Sequence, residues 1–170
     1  MPTIIYPIEP ITQGTDNTCW LACLRMLINC QQTRGRLVGQ LAQSLTDPSF
    51  VRRMEARDRT LLIGQFAGRA SQFGLRTKHI PGLTRELRGQ ELLMPLDVYD
   101  VLKKHGPFIY CGLLPGLIPH AIVICGYSES GAQDPTITFI DPRVHRQAML
   151  PYTRLRLGFP SDGWPIIFFP

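Results

Sequence analysis

The spacing of apolar residues changes once along this 170-residue chain, at Pro107. Before that point apolar residues recur at helical intervals. After it they form short β-branched or aromatic runs separated by Gly, Pro and Asp. These runs are FIYCGLL, HAIVICGYS, TITFID and WPIIFF. A helical half followed by a strand-rich half predicts an α+β fold, with an N-terminal helical lobe packed on a C-terminal antiparallel sheet.

Four helices are predicted in the first half from apolar spacing and end signals. They cover residues 19–30, about 36–45, 60–73 and 95–105. The segment TDNT before the first helix supplies Asp16, Asn17 and Thr18 as candidate N-caps. Cys19 is therefore expected at a helix N-terminus.

Composition favours one globular domain with a substantial core, because 44% of residues are hydrophobic and 18% are charged. We expect a single domain over residues 1–170, with the helical lobe at about 13–105 and the sheet lobe at about 106–170. No apolar run approaches the roughly 20 residues that cross a bilayer, and the start MPTIIYPIEP lacks the features of a secretory signal. We expect a chain made in the cytoplasm, or exported by a dedicated secretion system without a cleaved signal peptide, and no membrane partner.

The five cysteines are odd in number and have no CxxC spacing, which argues against a disulfide framework and a zinc site. They are Cys19, Cys23, Cys30, Cys111 and Cys125. We expect reduced thiols, no metal and no cofactor. Cys23 and Cys30 share one helical face, and Cys111 and Cys125 lie in apolar strands, so these four are predicted to be core residues.

Cys19 differs because the N–H groups at a helix N-terminus lower the pKa of a thiol, and the thiolate is the nucleophile. A catalytic cysteine also needs a histidine to carry its proton and a third group to orient the imidazole. His79 in RTKHI, His105 at a helix end and His145 in the turn DPRVHRQ all have structural explanations. His120 stands out because it opens the most apolar run, HAIVICGY.

An antiparallel hairpin of HAIVICGY and TITFID, joined by SESGAQDP, brings His120 opposite the neighbourhood of Asp141. Asp141 could accept the ring N–H of His120 and fix its tautomer. Asp134 is the rival carboxylate, but it falls in the turn at the other end of the hairpin, where QDP is ordinary turn chemistry. We therefore favour Asp141 as the orienting group, although DPR after the strand also explains it as a turn residue.

Gln13 stands six residues before Cys19 in QGTDNTCW. Attack on an amide creates an oxyanion, which the backbone N–H of Cys19 and the side-chain amide of Gln13 could stabilise together. Considered alone, a glutamine in a loop is an ordinary solvent-exposed residue. Its interpretation depends on Cys19, His120 and Asp141.

The spacing of Gln, five residues, Cys and Trp in QGTDNTCW resembles the papain-like cysteine peptidases, as do the histidine strand HAIVICGY and the later FIDP. CWLACLRML is most similar to the CWAAC pattern of compact bacterial papain-like effector proteases. The order of Gln, Cys, His and Asp-Pro also resembles the bacteriocin-processing peptidases of peptide-exporting transporters. The resemblance covers about residues 11–30 and 106–142.

This resemblance implies a papain-like fold in which Cys19 is the nucleophile, His120 the general base and acid, Asp141 the orienting group and Gln13 the oxyanion donor. Papain has Asn where this chain has Asp141. Trp20 stands where bacteriocin-processing peptidases usually have Gly, and the sequence contains no transporter, so a leader-peptidase role is weakened. We expect no inhibitory propeptide before Gln13. The resemblance then implies restraint by a separate inhibitor or immunity protein, or by export.

The leading hypothesis is a cysteine peptidase, of effector or toxin type, that forms a thioester acyl-enzyme with a protein or peptide substrate. Other amide chemistry begins with the same thioester: deamidation, acyl transfer or crosslinking, or cleavage of a peptidoglycan peptide. A third hypothesis is an inactive binding domain.

The net charge of +5 includes a basic cluster consisting of Arg52, Arg53, Arg57, Arg59 and Arg69. The cluster lacks interleaved aromatics and any nucleic-acid motif, so we expect no nucleic-acid partner. It could instead recognise an acidic inhibitor or substrate. Subsite pockets are expected in the loop LPGLIP and near Trp164.

Overall fold

Six helices and seven strands make up the part of the chain that the structure describes. The structure is a computed structural model that describes residues 2–14, 18–36, 38–57, 63–80, 95–114, 118–129, 134–156 and 164–170. The helices are α1 (Cys19–Thr33), α2 (Gln40–Gln43), α3 (Pro48–Arg57), α4 (Ile63–Gln72), α5 (Pro95–His105) and α6 (Tyr152–Arg156), with a 3-10 turn at Ser44–Thr46. The strands are β1 (Thr3–Ile5), β2 (Arg76–Ile80), β3 (Phe108–Leu114), β4 (Ile118–Ser128), β5 (Thr136–Asp141), β6 (Arg146–Pro151) and β7 (Trp164–Phe168).

The seven described strands form one antiparallel sheet. Six of them lie in the order β2-β7-β3-β4-β5-β6, and β1 pairs with β4. Strands β4 and β5 pair with Val123 opposite Ile140 and Ser128 opposite Thr136. This pairing is the hairpin predicted from HAIVICGY and TITFID, whose turn at residues 130–133 lies outside the described residues. The predicted α+β class with an antiparallel sheet is confirmed.

Alternate residues of the central strands point to opposite faces of the sheet, as the two-residue period of a strand requires. Ile109 and Cys111 of β3 pack in the apolar layer that contains α1. Phe108 and Tyr110 pack in the layer on the other face, which contains residues of α5. Because both faces are covered, the central strands are apolar on both sides and read as continuous apolar runs.

Helix α1 is the central helix of the larger layer. Its residues are buried on nearly every side, and it contacts β3, β4 and α4. A helix that is apolar all round requires such a buried position. It ends at Thr33, and two residues later Gly35 has a φ of 68°, in the left-handed conformation that favours glycine.

The prediction of the helices was right for α5 and for the described part of 60–73, where α4 forms. The helix expected at about 36–45 is shorter, since α2 is limited to Gln40–Gln43 before the 3-10 turn. Helix α3 was not predicted. Its start has a recognisable pattern: the Asp47 carboxylate accepts the N–H of Ser49 at 2.8 Å, and Pro48 takes the first helical position.

The predicted division into a helical and a sheet segment needs correction in the structure. Strand β2 lies within residues 13–105, which were assigned to the helical lobe, yet it pairs with β7 at one end of the sheet. Helix α5 lies in the same range and packs on the opposite face from α1. The helical period predicted α5 but not the face of the sheet on which it packs. No helix of the described residues has the length and apolar character needed to cross a bilayer.

Gly126 lies at an irregularity in the β4–β5 pairing, where three strands meet closely. A Cβ atom at this position would lie 2.9 Å from Cβ of Thr138 and 3.2 Å from the carbonyl oxygen of Ile4 on β1. We predict that Gly126→Ala lowers the free energy of unfolding by about 1–3 kcal/mol, because strands have to move apart to admit the methyl group. Chemical denaturation measures this change.

Gly68→Ala is the matched control, since Gly68 lies in the interior of α4 and a Cβ there meets nothing within 4 Å. It should raise the free energy of unfolding by about 0.5–1 kcal/mol through helix propensity. Equal stability of Gly126→Ala and the unchanged protein would contradict the close approach of β1, β4 and β5.

Candidate active site

Cys19 is the first residue of α1, as the sequence predicted. It is 8% exposed, and Thr18 before it occupies the N-cap position. The Thr18 carbonyl accepts the N–H groups of Leu21 and Ala22, but its side chain makes no capping hydrogen bond, so the expected cap is wrong in that respect. The other candidate caps, Asp16 and Asn17, lie outside the described residues.

His120 and Asp141 are joined by a hydrogen bond of 2.7 Å between His120 Nε2 and Asp141 Oδ1. His120 lies on β4 and is 4% exposed, and Asp141 is the last residue of β5. The antiparallel pairing of β4 and β5 brings them together across 21 residues of sequence. The proximity predicted from the hairpin is therefore observed. Since Asp141 occupies Nε2, the ring has Nδ1 left for the Cys19 sulfur.

The Cys19 thiol and the His120 ring form a hydrogen-bonded pair with opposite pKa changes. Burial raises the pKa of Cys19, but the hydrogen bond and charge of His120, with backbone N–H groups of Ala121 and Trp20, lower it more, so the pKa lies below its ordinary value. Burial lowers the pKa of His120, but Asp141 and Cys19 raise it to about 9. Both directions favour a thiolate beside an imidazolium.

Asp141 is held by the turn that follows it. Burial raises the pKa of Asp141, but the hydrogen bond from His120, the backbone N–H of Arg143 and the charges of both residues lower it below its ordinary value. The Arg143 N–H donates to Oδ1 at 2.8 Å. The carboxylate is therefore ionised and fixed in orientation by two donors. Asp141 is both a turn residue, as its sequence suggested, and the partner of His120.

Gln13 lies beside the same turn. Its backbone N–H donates to the Pro142 carbonyl at 3.0 Å, one residue after Asp141. This bond ties the segment before α1 to the end of β5. The role of the Gln13 side chain as an oxyanion donor stays a prediction.

The other four cysteines are buried core residues, as predicted. Burial raises the pKa of each of them. The Cys23 thiol donates to the Ala121 carbonyl at 3.3 Å, one helical turn beyond Cys19. Of the five thiols, Cys19 has the only lowered pKa.

Asp134 and His105 have structural roles away from Cys19. Asp134 accepts two hydrogen bonds from Thr153, at 3.1 and 2.6 Å, which places it away from Asp141 at the other end of β5. The ring of His105, at the end of α5, packs against the ring of Phe168 with centroids 4.4 Å apart and planes tilted by 47°. The side chain of His79 lies outside the described part.

The two residues that flank Gln13, Thr12 and Gly14, make contacts that were not predicted. Thr12 Oγ1 and His145 Nδ1 form a hydrogen bond of 2.6 Å, and His145 has a φ of 49° in the turn after Asp141. Glu55 of α3 closely approaches Gly14, since a Cβ there would lie 2.5 Å from its Oε1. A tight turn was readable in DPRVHRQ, but nothing in the sequence pointed to Glu55.

No group of three or more His, Cys, Asp or Glu side chains suited to a metal ion occurs within the described ranges. The predicted subsite segments lie partly outside the described residues, at residues 115–117 of LPGLIP and at the side chain of Trp164.

A buried cysteine that starts the central helix, paired with a histidine from the adjoining antiparallel sheet, defines the class of papain-like cysteine peptidases. The chain belongs to one family of this class, because residues 4–154 match the family of the papain-like cysteine protease AvrRpt2. It is a cysteine-type peptidase, and the predicted resemblance to papain-like peptidases is confirmed. Comparison with curated proteins found no match.

Among solved structures, the chain is similar to a double-glycine-motif protease from an AMS/PCAT transporter, crystallised in complex with the leader peptide. The TM-score is 0.53 at 15% sequence identity, over 98% of this chain and 94% of that one. At this identity the likeness concerns the fold. It extends along nearly the whole chain.

The paired pKa changes predict selective alkylation of Cys19. Because the lowered pKa keeps Cys19 ionised below the ordinary thiol pKa of about 8.5, Cys19 should react with iodoacetamide at a lower pH than an ordinary thiol. In His120→Ala the imidazolium is lost while burial remains, so the reaction should move to higher pH. Mass spectrometry of each cysteine against pH measures both profiles.

The four buried cysteines are internal controls and should remain unmodified in the folded protein. A Cys19 that reacts only near pH 8.5 in both proteins would contradict the thiolate–imidazolium pair.

Proposed function

We propose that the protein hydrolyses an amide bond of a protein or peptide through a thioester acyl-enzyme formed on Cys19. In this mechanism His120 is the general base and acid, Asp141 orients its ring, and Gln13 contributes to the oxyanion hole. The observation that carries the proposal is the hydrogen-bonded series from Cys19 through His120 to Asp141, with the Cys19 pKa lowered and the His120 pKa raised.

The first half of the reaction begins with the thiolate of Cys19 attacking the scissile carbonyl carbon. The carbonyl oxygen becomes an oxyanion, for which the backbone N–H of Cys19 and the Gln13 side chain are the proposed donors. His120, which is protonated below about pH 9, gives its proton to the leaving nitrogen. The carbon–nitrogen bond breaks, the amine product leaves, and the thioester remains.

Hydrolysis of the thioester reverses these roles. His120 is now neutral and removes a proton from water, whose oxygen attacks the thioester carbon. The second tetrahedral intermediate collapses, the carbon–sulfur bond breaks, and the carboxylic acid leaves. Cys19 departs as a thiolate and His120 is again protonated, so the starting ion pair is restored.

Asp141 is proposed to act through His120. A carboxylate on Nε2 keeps the proton of the ring on that nitrogen and directs Nδ1 to the sulfur. Its negative charge also raises the pKa of His120, which extends the alkaline range in which the leaving group can be protonated. Both contributions require the geometry of the turn at residues 141–145.

Membership of the AvrRpt2 family supports a polypeptide substrate and a role as a bacterial effector or toxin. The similar double-glycine-motif protease was crystallised with a leader peptide, which also supports an extended peptide as the substrate. We propose that activity is restrained by a separate inhibitor or immunity protein, or by export through a dedicated secretion system.

Product analysis separates hydrolysis of peptide bonds from the other amide chemistries. We expect the protein to generate new N-termini in denatured casein and in a proteome-derived peptide library, and Cys19→Ala to generate none. Mass spectrometry detects the products. A gain of about one dalton on glutamine, with no new N-termini, would establish deamidation, because the acceptor and the bond differ while the thioester is the same.

On a peptide selected from that library, Asp141→Ala should lower kcat/KM by about 10²-fold or more, because His120 loses its orienting group. In Asp141→Asn the activity should be retained in part, and its alkaline limit should fall below the pH of about 9 set by His120. The direction follows because removal of the negative charge lowers the His120 pKa. Steady-state kinetics across pH measure both effects.

Asp134→Ala is the matched control and should keep kcat/KM within about twofold, since Asp134 contacts Thr153 at the far end of β5. A similar loss in the Asp134 and Asp141 variants would refute the assignment of Asp141.

Gln13→Ala tests the oxyanion donor. Because the donor acts mainly on charge that develops in the transition state, kcat should fall by about 10²–10³-fold with little change in KM. Gln40→Ala, at the exposed start of α2, is the control and should leave kcat unchanged. A rise in KM alone for Gln13→Ala would assign Gln13 to substrate binding instead.

A further inference from the structure

A groove of about 390 Å³ opens between α2, α3 and α4. Its apolar surface comes from Leu41, Phe50, Met54 and Phe73. Met54 and Phe73 are buried, Phe50 is partly buried, and Leu41 is 40% exposed. The volume falls in the range of about 300–1,000 Å³ found for ligand pockets. The groove therefore accommodates one or two apolar side chains of a ligand.

Three arginines surround this apolar surface: Arg53 and Arg57 from α3 and Arg69 from α4. The Arg53 guanidinium lies over the Phe50 ring, 5.9 Å from its centroid. Arg69 Nη1 donates to Gln72 Oε1 at 2.9 Å, on the side of α4 that lines the groove. None of the described lining residues is acidic. The groove thus combines an apolar floor with a positively charged rim.

The groove is separate from the candidate active site. Neither Cys19, His120, Asp141 nor Gln13 lines it. Helix α3 stands between the two regions, because it presents Phe50 and Arg57 to the groove and Glu55 to Gly14. Peptide-bond chemistry at Cys19 does not account for this groove.

We propose that the groove binds an acidic segment of a protein partner, one in which an apolar side chain stands next to carboxylates. The apolar side chain is removed from water against Phe50, Met54 and Phe73. The adjacent carboxylates accept charge-assisted hydrogen bonds from the arginines, whose planar guanidinium groups suit carboxylate geometry. The net charge of +5 adds long-range attraction for an acidic partner.

A recessed apolar floor favours a peptide over a nucleic acid. Phosphate contacts need exposed positive charge and gain nothing from Met54 or Phe73, which are buried. Arg52, which the sequence grouped with the other arginines, is not a lining residue of the groove, and Arg59 lies outside the described residues. Of the four described arginines of this cluster, three line the groove.

The test measures direct binding to the 170-residue chain with Cys19→Ala, so that the result does not depend on catalysis. The probe is a fluorescein-labelled peptide in which one phenylalanine is flanked on both sides by glutamates, followed by fluorescence anisotropy. Two comparison peptides replace all glutamates by glutamine, or the phenylalanine by serine. We expect saturable binding of the first peptide, weakened by salt, and at least about tenfold weaker binding of each comparison peptide.

In the protein, Arg53→Glu should weaken binding of the acidic peptide by about tenfold or more, because it places a carboxylate at the rim. The matched control is Arg154→Glu, an exposed arginine of α6 outside the groove, which should change the affinity by less than about twofold. Circular dichroism verifies the fold of both variants, and Arg53→Gln replaces Arg53→Glu if that variant does not fold.

Any one of four results would overturn the proposal. One is the absence of saturable binding up to millimolar peptide. Another is equal binding of the glutamate and glutamine peptides, or equal weakening by Arg53→Glu and Arg154→Glu. The last is a single-stranded oligonucleotide that binds the groove more tightly than the peptide and loses this affinity in Arg53→Glu, which would make it a nucleic-acid site.

Discussion

The site depends on the hydrogen bond between His120 and Asp141, because it keeps a buried ring charged. A histidine that is 4% exposed loses its proton on burial unless an anion compensates for the lost hydration. The Asp141 carboxylate compensates for the lost hydration through its 2.7 Å hydrogen bond to the ring, and the charged ring in turn lowers the pKa of Cys19.

The raised His120 pKa stabilises the folded state fully below about pH 6.5, and this stabilisation is lost as pH rises through about 9. The lowered Asp141 pKa stabilises the folded state above about pH 3.8, and this stabilisation is lost as pH falls below that value.

Cys19, His120 and Asp141 are each positioned by a different element of the fold. The all-round burial of α1 fixes its first residue, Cys19, against the sheet. The β4–β5 pairing sets His120 beside Asp141, and the tight turn after β5 holds the carboxylate through the Arg143 N–H. The same turn accepts the backbone N–H of Gln13. A short turn therefore holds two of the four candidate residues, which explains why Asp141 satisfies a turn pattern and a site pattern at once.

Local chemistry was readable from the sequence, whereas long-range packing was not. The position of Cys19 follows from helix periodicity, and the His120–Asp141 contact follows from hairpin register, since both depend on the neighbouring chain alone. The contact of Glu55 with Gly14 joins segments about 40 residues apart that no pairing rule connects. Helix α3 was missed although Asp47 and Pro48 mark its start, because its apolar face is reduced to Val51 and Met54 as its buried residues. A face that narrow carries little periodic information.

Helix α3 relates the groove to the active site. Successive residues of a helix turn by about 100°, so Glu55 points about 140° away from Phe50. The carboxylate of Glu55 approaches Gly14 so closely that a Cβ there would lie 2.5 Å from its Oε1. A ligand that displaced α3 from the groove side would therefore move Glu55 relative to Gly14 and the adjoining Gln13. The groove and the candidate active site are spatially separate, and α3 is an element that contacts both regions.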